Sequence, residues 1–213
     1  MKIFPCPSCG AEVKFASAVT VFSVCAFCKA MVVRHDVNIE AIGKMAVLME
    51  DISPLQIGSG GRFEGVCFTV IGRVKVMWDE GVWNEWYVFF DDGRYGWLAE
   101  AQGFWMMSFP AIDIPVPRQK FKIGDTLMLK GLRYTLDDMR HASCQASEGE
   151  LPFQAIPGRR TLRMDFTGSA GIFACMEVDK EDRALYLGRY VDFDELNFSN
   201  LRELRGWKYE RAS

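Results

Sequence analysis

Apolar and polar positions along the chain fall into short runs closed by Gly, Asp or Pro, and these runs read as strands. Val13-Phe15 and Val19-Val21 alternate within the first thirty residues. Ile71 to Trp78, Val82 to Phe90 and Arg94 to Ala99 predict a meander; Thr161 to Phe166, Gly171 to Val178 and Ala184 to Val191 predict further strands. Asp79-Glu80-Gly81 reads as a three-residue turn and Asp92-Gly93 as a two-residue turn. Those lengths place Val74, Val76, Trp78, Trp86, Val88, Phe90, Tyr95 and Trp97 on one uncharged face, expected in the core. Arg73, Lys75, Met77, Trp83, Glu85, Tyr87 and Phe89 share the other face, with Lys75 opposite Glu85. His141 to Arg160 contains Glu148-Gly-Glu-Leu-Pro152 and Pro157-Gly158 and reads as a long loop. The tail from Asp194 reads as a short helix.

The pattern repeats. Ile57-Gly58 and Ile123-Gly124 lie 66 positions apart, and the same offset pairs Phe63 with Leu129, Gly65 with Gly131, and Phe68-Thr69-Val70 with Tyr134-Thr135-Leu136. A repeat of this kind implies repeated structural units. The expected fold is therefore mostly β: a zinc ribbon over residues 1–36, a linker over 37–54, a first β unit over 55–109, a Pro-containing joint over 110–120, and a second β unit with a C-terminal extension over 121–213. Each unit has the strand lengths of an SH3-like small barrel, which makes the pair a tandem internal duplication.

Four of the seven cysteines carry the ribbon. Cys6-Pro-Ser-Cys9-Gly and Cys25-Ala-Phe-Cys28-Lys give C-x2-C-x15-C-x2-C, a zinc-site spacing. Two-residue spacing lets both thiolates of a pair reach one ion. Four thiolates complete a tetrahedron and leave no position for water, so one structural zinc per chain is expected. The remaining Cys67, Cys144 and Cys175 read as free thiols of a reducing compartment.

Charge narrows the partners. The formal net charge is -3 and the pI is about 5.5, and residues 1–50 hold five Lys/Arg against four Asp/Glu. Nothing there forms the basic patch that nucleic acid requires. No run reaches the eighteen apolar residues of a membrane span, and the start lacks an apolar signal core, so a cytoplasmic location is expected. Residues 75–105 hold six acids and two bases. Trp83, Glu85, Tyr87 and Phe89 are thus either covered by the second unit or the ribbon, or a candidate recognition surface for a protein partner, or for a cationic or amine ligand. No residue is assigned a catalytic role. His35 and His141 neighbour no motif, Gly58-Ser-Gly-Gly61 lacks the Gly-Lys-Ser/Thr ending of a phosphate loop, and Asp91-Asp92 sit at a hairpin tip. Glu148 and Glu150 are the acids that a loop would present.

Ser53-Pro-Leu-Gln-Ile-Gly58, Val70-Ile-Gly-Arg73, Trp83-Asn-Glu-Trp86, Asp92-Gly-Arg94 with Gly96-Trp-Leu98, and Gly149-Glu-Leu-Pro152 resemble a bacterial family known as domain of unknown function 4178. An N-terminal ribbon of this cysteine pattern is similar to that on many members. The resemblance implies membership and little about activity. The expected role is a non-enzymatic zinc-ribbon binding or adapter protein of a bacterial multi-gene system. The alternatives are an enzyme using the Glu148/Glu150 loop and a nucleic-acid binder acting through the ribbon.

Overall fold

The computed structural model describes residues 1–35, 37–45, 52–180 and 182–204. The positions 46–51 of the expected linker, and the extension beyond 204, lie outside the described residues. Two short strands, β1 (Lys2–Pro5) and β2 (Glu12–Phe15), pair with each other. All other strands join one antiparallel sheet: β3 (Phe22–Val24), β4 (Ala30–Arg34), β5 (Ile39–Lys44), β6 (Gly60–Phe63), β7 (Val66–Trp78), β8 (Gly81–Phe90), β9 (Tyr95–Ala101), β10 (Phe104–Pro110), β11 (Thr126–Leu129), β12 (Leu132–Leu151), β13 (Arg160–Gly168), β14 (Ile172–Asp179) and β15 (Asp182–Val191). The chain is mostly β, as the alternation predicts. β5 lies inside the segment expected as a linker and pairs with β4, extending the ribbon sheet.

The sheet closes on itself. Pairing runs β7-β8-β9-β10-β15-β14-β13-β12 and returns from β12 to β7, a ring of eight strands. The sequence reading expected two separate small barrels. Instead the first five-stranded run, β6 to β10, and the second, β11 to β15, share two seams. At one seam Phe109 pairs with Leu187; at the other Val74 pairs with Ser147 and Gly72 with Gly149. Glycines permit the close approach there. A Cβ on Gly72 would lie 1.9 Å from the Glu150 carbonyl oxygen, and one on Gly149, whose φ is +65°, would lie 2.2 Å from that of Ile71.

The two runs carry matching registers. Gly61 pairs with Phe68 and Leu127 with Tyr134. The turns Glu64-Gly65 and Lys130-Gly131 both have positive φ at each residue, the geometry of tight hairpin turns. Gly58 N–H bonds the Val70 carbonyl, and Gly124 N–H bonds that of Leu136, both at 2.8 Å. Bulges fall at Val70/Gly72 and at Leu136/Asp138. Further on, Glu85 opposite Ala99 corresponds to Arg163 opposite Glu177, and Tyr87 opposite Trp97 to Asp165 opposite Cys175.

Four sequence expectations are corrected. Trp78 pairs with Gly81, so the first turn is only Asp79-Glu80; Phe90 bonds Arg94, so the second has three residues, with Gly93 at φ +86°. Each turn differs from the expected length by one residue, and a one-residue slip reverses every facing. Lys75 opposes Asn84, not Glu85, and Val74 opposes Glu85. One face therefore carries Val74, Val76, Trp83, Glu85, Tyr87, Phe89, Tyr95 and Trp97. The opposite face puts Phe68, Val70, Trp86, Val88, Phe90 and Leu98 into a separate core with Leu55, Phe193 and Leu196. Thirdly, the segment expected as a long loop from His141 is strand as far as Leu151, because the seam with β7 and the pairing of Gly149–Leu151 with β3 satisfy its backbone. The expected helix after Asp194 is a single 3-10 turn, Asp194–Leu196.

Candidate metal centre and barrel lumen

The two cysteine pairs sit on matching knuckles. In one, Cys6 N–H bonds the Ala11 carbonyl and Gly10 N–H bonds that of Cys6; in the other, Cys25 N–H bonds Ala30 and Lys29 N–H bonds Cys25. Gly10 and Lys29 both adopt positive φ, +77° and +60°. This turn points both thiols of a pair the same way. The four Sγ atoms of Cys6, Cys9, Cys25 and Cys28 lie within 4.8 Å of one another and could hold a metal ion. The Ala30 N–H lowers the Cys28 thiol to about 7, while the neighbouring thiols raise Cys9, so Cys28 is the readier of the two to ionise. Cys6 and Cys25 are buried in a small core with Val13, Phe15, Ala30 and Val32.

Glu150 ties this ribbon to the barrel. Its carboxylate accepts from the Ala16 N–H at 2.8 Å and from the Thr20 hydroxyl at 3.0 Å. Burial raises its pKa, against those donors. Glu148, two residues earlier, lies 3.7 Å from the Arg73 guanidinium. The two acids expected on one loop thus serve separate structural contacts on one strand.

The face bearing Trp83, Glu85, Tyr87 and Phe89 points into the ring of strands, not outward. Tyr87 is fully buried, Glu85 nearly so, and Trp83 and Phe89 are half-buried. Toward one end of the lumen, Tyr87, Phe89, Tyr95 and Trp97 belong to the same core as Phe22, Val24, Met31 and Val33 of the ribbon. Phe153 stacks on Trp97 with centroids 5.9 Å apart. The remainder of the lumen is a cavity of about 330 Å³, lined from all eight ring strands. Small inward residues on one wall, Ala99, Ala101 and Ser108, leave the space.

Charges lie inside it. Arg163 on β13 donates to Glu85 across the lumen and to Glu177 on β14, the latter at 2.8 Å. Its remaining buried Nε–H has no acceptor among the described residues. Burial alone would lower Arg163, but Glu177 and Glu85 together hold it well above its ordinary value, so it stays charged. Burial pushes Asp165 and Glu177 up, outweighing the nearby guanidiniums. Arg140 pairs with Asp138, and its guanidinium lies 4.2 Å from the Trp78 ring centroid. The Trp83 indole N–H bonds Glu85 at 3.0 Å.

Arg140, Arg163, Asp165, Cys175 and Glu177 escaped the sequence reading. The available signal was the alternation Leu162-Arg163-Met164-Asp165-Phe166, which puts two opposite charges on one face of a strand whose other face is apolar. Only ring closure makes that face interior.

Residues 56–193 match the family described as Domain of unknown function (DUF4178). The chain belongs to that family. No curated protein and no solved structure matches it. Among the described residues of this family member, no helix is long and apolar enough to cross a membrane.

Proposed function

We propose that this family member is a non-enzymatic binding protein that takes a small molecule into the barrel lumen, with a zinc-bound ribbon closing one end. The observation that carries the reading is the cavity of about 330 Å³ inside a closed ring of strands, with ionised side chains in its wall. Ligand sites are concave, mostly apolar and marked by a few fixed polar groups. The two five-stranded runs are read as tandem copies of one unit, supported by the matching registers. Zinc suits the cysteines: thiolates about 2.3 Å from the ion stand about 3.8 Å apart, against 3.7 Å for Cys6 to Cys28 and 3.8 Å for Cys9 to Cys25. An adapter role toward a protein partner belongs to the same proposal, and the exposed Phe27 on the second knuckle is a contact point for it. The enzymatic alternative loses support because Glu148 and Glu150 are engaged in separate contacts.

A neutral fluorescent probe, N-phenyl-1-naphthylamine, tests the lumen. Its emission should rise with the wild-type protein and fail to rise with Ala99→Trp, which fills the space from β9. Equal binding by a folded Ala99→Trp variant would place the probe elsewhere and remove the reading.

A further inference from the structure

The cavity exists because the two runs differ at corresponding inward positions. Where the first run has Tyr87 opposite Trp97, the second has Asp165 opposite Cys175. Tyr87 and Trp97 meet ring to ring, with centroids 5.0 Å apart, and fill their end of the lumen. Asp165 and Cys175 are too small to do the same, and both line the cavity. The missing volume is that of flat ring systems.

The charge is equally specific. Asp165 stands directly opposite Asp138 on the neighbouring strand, an unfavourable placement of like charges. Asp138 is engaged by Arg140, and Glu85 and Glu177 by Arg163. Among the described residues, Asp165 has no cationic group within ion-pair distance. Among the described residues of the cavity wall, two guanidiniums, Arg140 and Arg163, therefore face three carboxylates, Glu85, Asp165 and Glu177. Trp83, Phe173 and Tyr190 add ring faces around the same space, and such faces attract cations.

We propose that the lumen binds a small, flat organic cation whose protonated amine pairs with Asp165 while its ring occupies the space that Tyr87 and Trp97 fill in the other half. This rests on the lumen reading above and goes beyond it by assigning ligand class and anchor. Binding brings a charge-assisted hydrogen bond into a desolvated site.

The test is displacement of N-phenyl-1-naphthylamine by three probes sharing one ring: tryptamine, neutral tryptophol and anionic indole-3-propionate. On the wild-type protein tryptamine should compete at least about ten-fold better than tryptophol, and indole-3-propionate should compete least. Asp165→Asn should erase the preference for tryptamine and leave competition by tryptophol unchanged. Equal competition by the three probes, a preference that survives Asp165→Asn, or no displacement by tryptamine would each overturn the assignment. In all three cases the naphthylamine still reports the lumen, so the broader reading falls only if that probe fails to bind. The wild-type comparison decides the charge even if Asp165→Asn does not fold.

Discussion

Tyr87 and Trp97 on β8 and β9 occupy the places that Asp165 and Cys175 occupy on β13 and β14. The backbone scaffolds match in register, turn and bulge, yet one half of the lumen is packed with rings and continues into the ribbon core, while the other is hollow and charged. Backbone hydrogen bonding thus fixes the ring of strands, and the inward side chains alone decide whether the interior is filled. Two substitutions for small residues convert packing into a site. The ribbon sharpens the difference, since it covers the packed half and leaves the hollow half to its own walls.

With zinc on the four cysteines as proposed, its removal should have the largest effect. A structural zinc site contributes on the order of 10 kcal/mol to a small module, and here β3 pairs with β12 while Phe22 and Met31 share a core with Tyr87 and Trp97. Chelation should therefore lower the melting temperature of the barrel as well as unfold the ribbon. An unchanged barrel transition in calorimetry would separate the packed half from the ribbon.

Trp86 and Trp83 give the next contrast. Trp86 is fully buried in the core outside the ring, and its indole N–H bonds Glu100 at 3.0 Å. Trp86→Ala should cost about 3–5 kcal/mol in urea unfolding. Trp83 is half-buried on the cavity wall, so Trp83→Ala should cost about 1 kcal/mol and weaken probe binding. A larger loss for Trp83 would make it a packing residue of the barrel.

Arg163→Met leaves Glu85 and Glu177 without their shared cation. Breaking a buried pair in this way should destabilise by about 3 kcal/mol. Pairing it with Glu85→Leu and Glu177→Leu should recover most of the loss. Failure of the triple variant to recover stability would mean that the charges orient the two halves as well as neutralising each other.

The smallest effect concerns pH. Burial holds the Asp165 carboxyl above its ordinary value. Its folded form binds the proton more tightly than the unfolded chain, so its contribution to stability falls as pH rises from about 4 to the folded pKa. Asp165→Asn removes that penalty. The variant should be more stable than wild type near pH 7, by about 1 kcal/mol or less, and the gain should vanish near pH 4. A difference that grows on acidification would reverse the sign and place a partner on Asp165.

The cysteine spacing, the strand alternation and the 66-position offset were legible in the sequence because each is a local regularity. Thiol spacing depends on one knuckle, and alternation on one strand. Face assignments were not legible. They hinged on whether Gly81 and Asp91 belong to a turn or to a strand, a one-residue matter that cross-strand pairing settles. Glu148 and Glu150 read as loop acids because Gly and Pro flank them, while the seam with β7 and the capping of Ala16 come from segments more than seventy residues away.

The sequence by itself determined the cluster of four cysteines, the β character and the presence of two similar runs, all of which follow from neighbours along the chain. The tertiary structure alone decided that the runs close into one ring, and hence that Glu85, Asp165 and Arg163 face each other across an interior. Ring closure depends on which strand edges meet at Gly72 with Gly149 and at Phe109 with Leu187. Those edges are joined by hydrogen bonds between residues far apart in sequence, and backbone amides carry no residue-specific code.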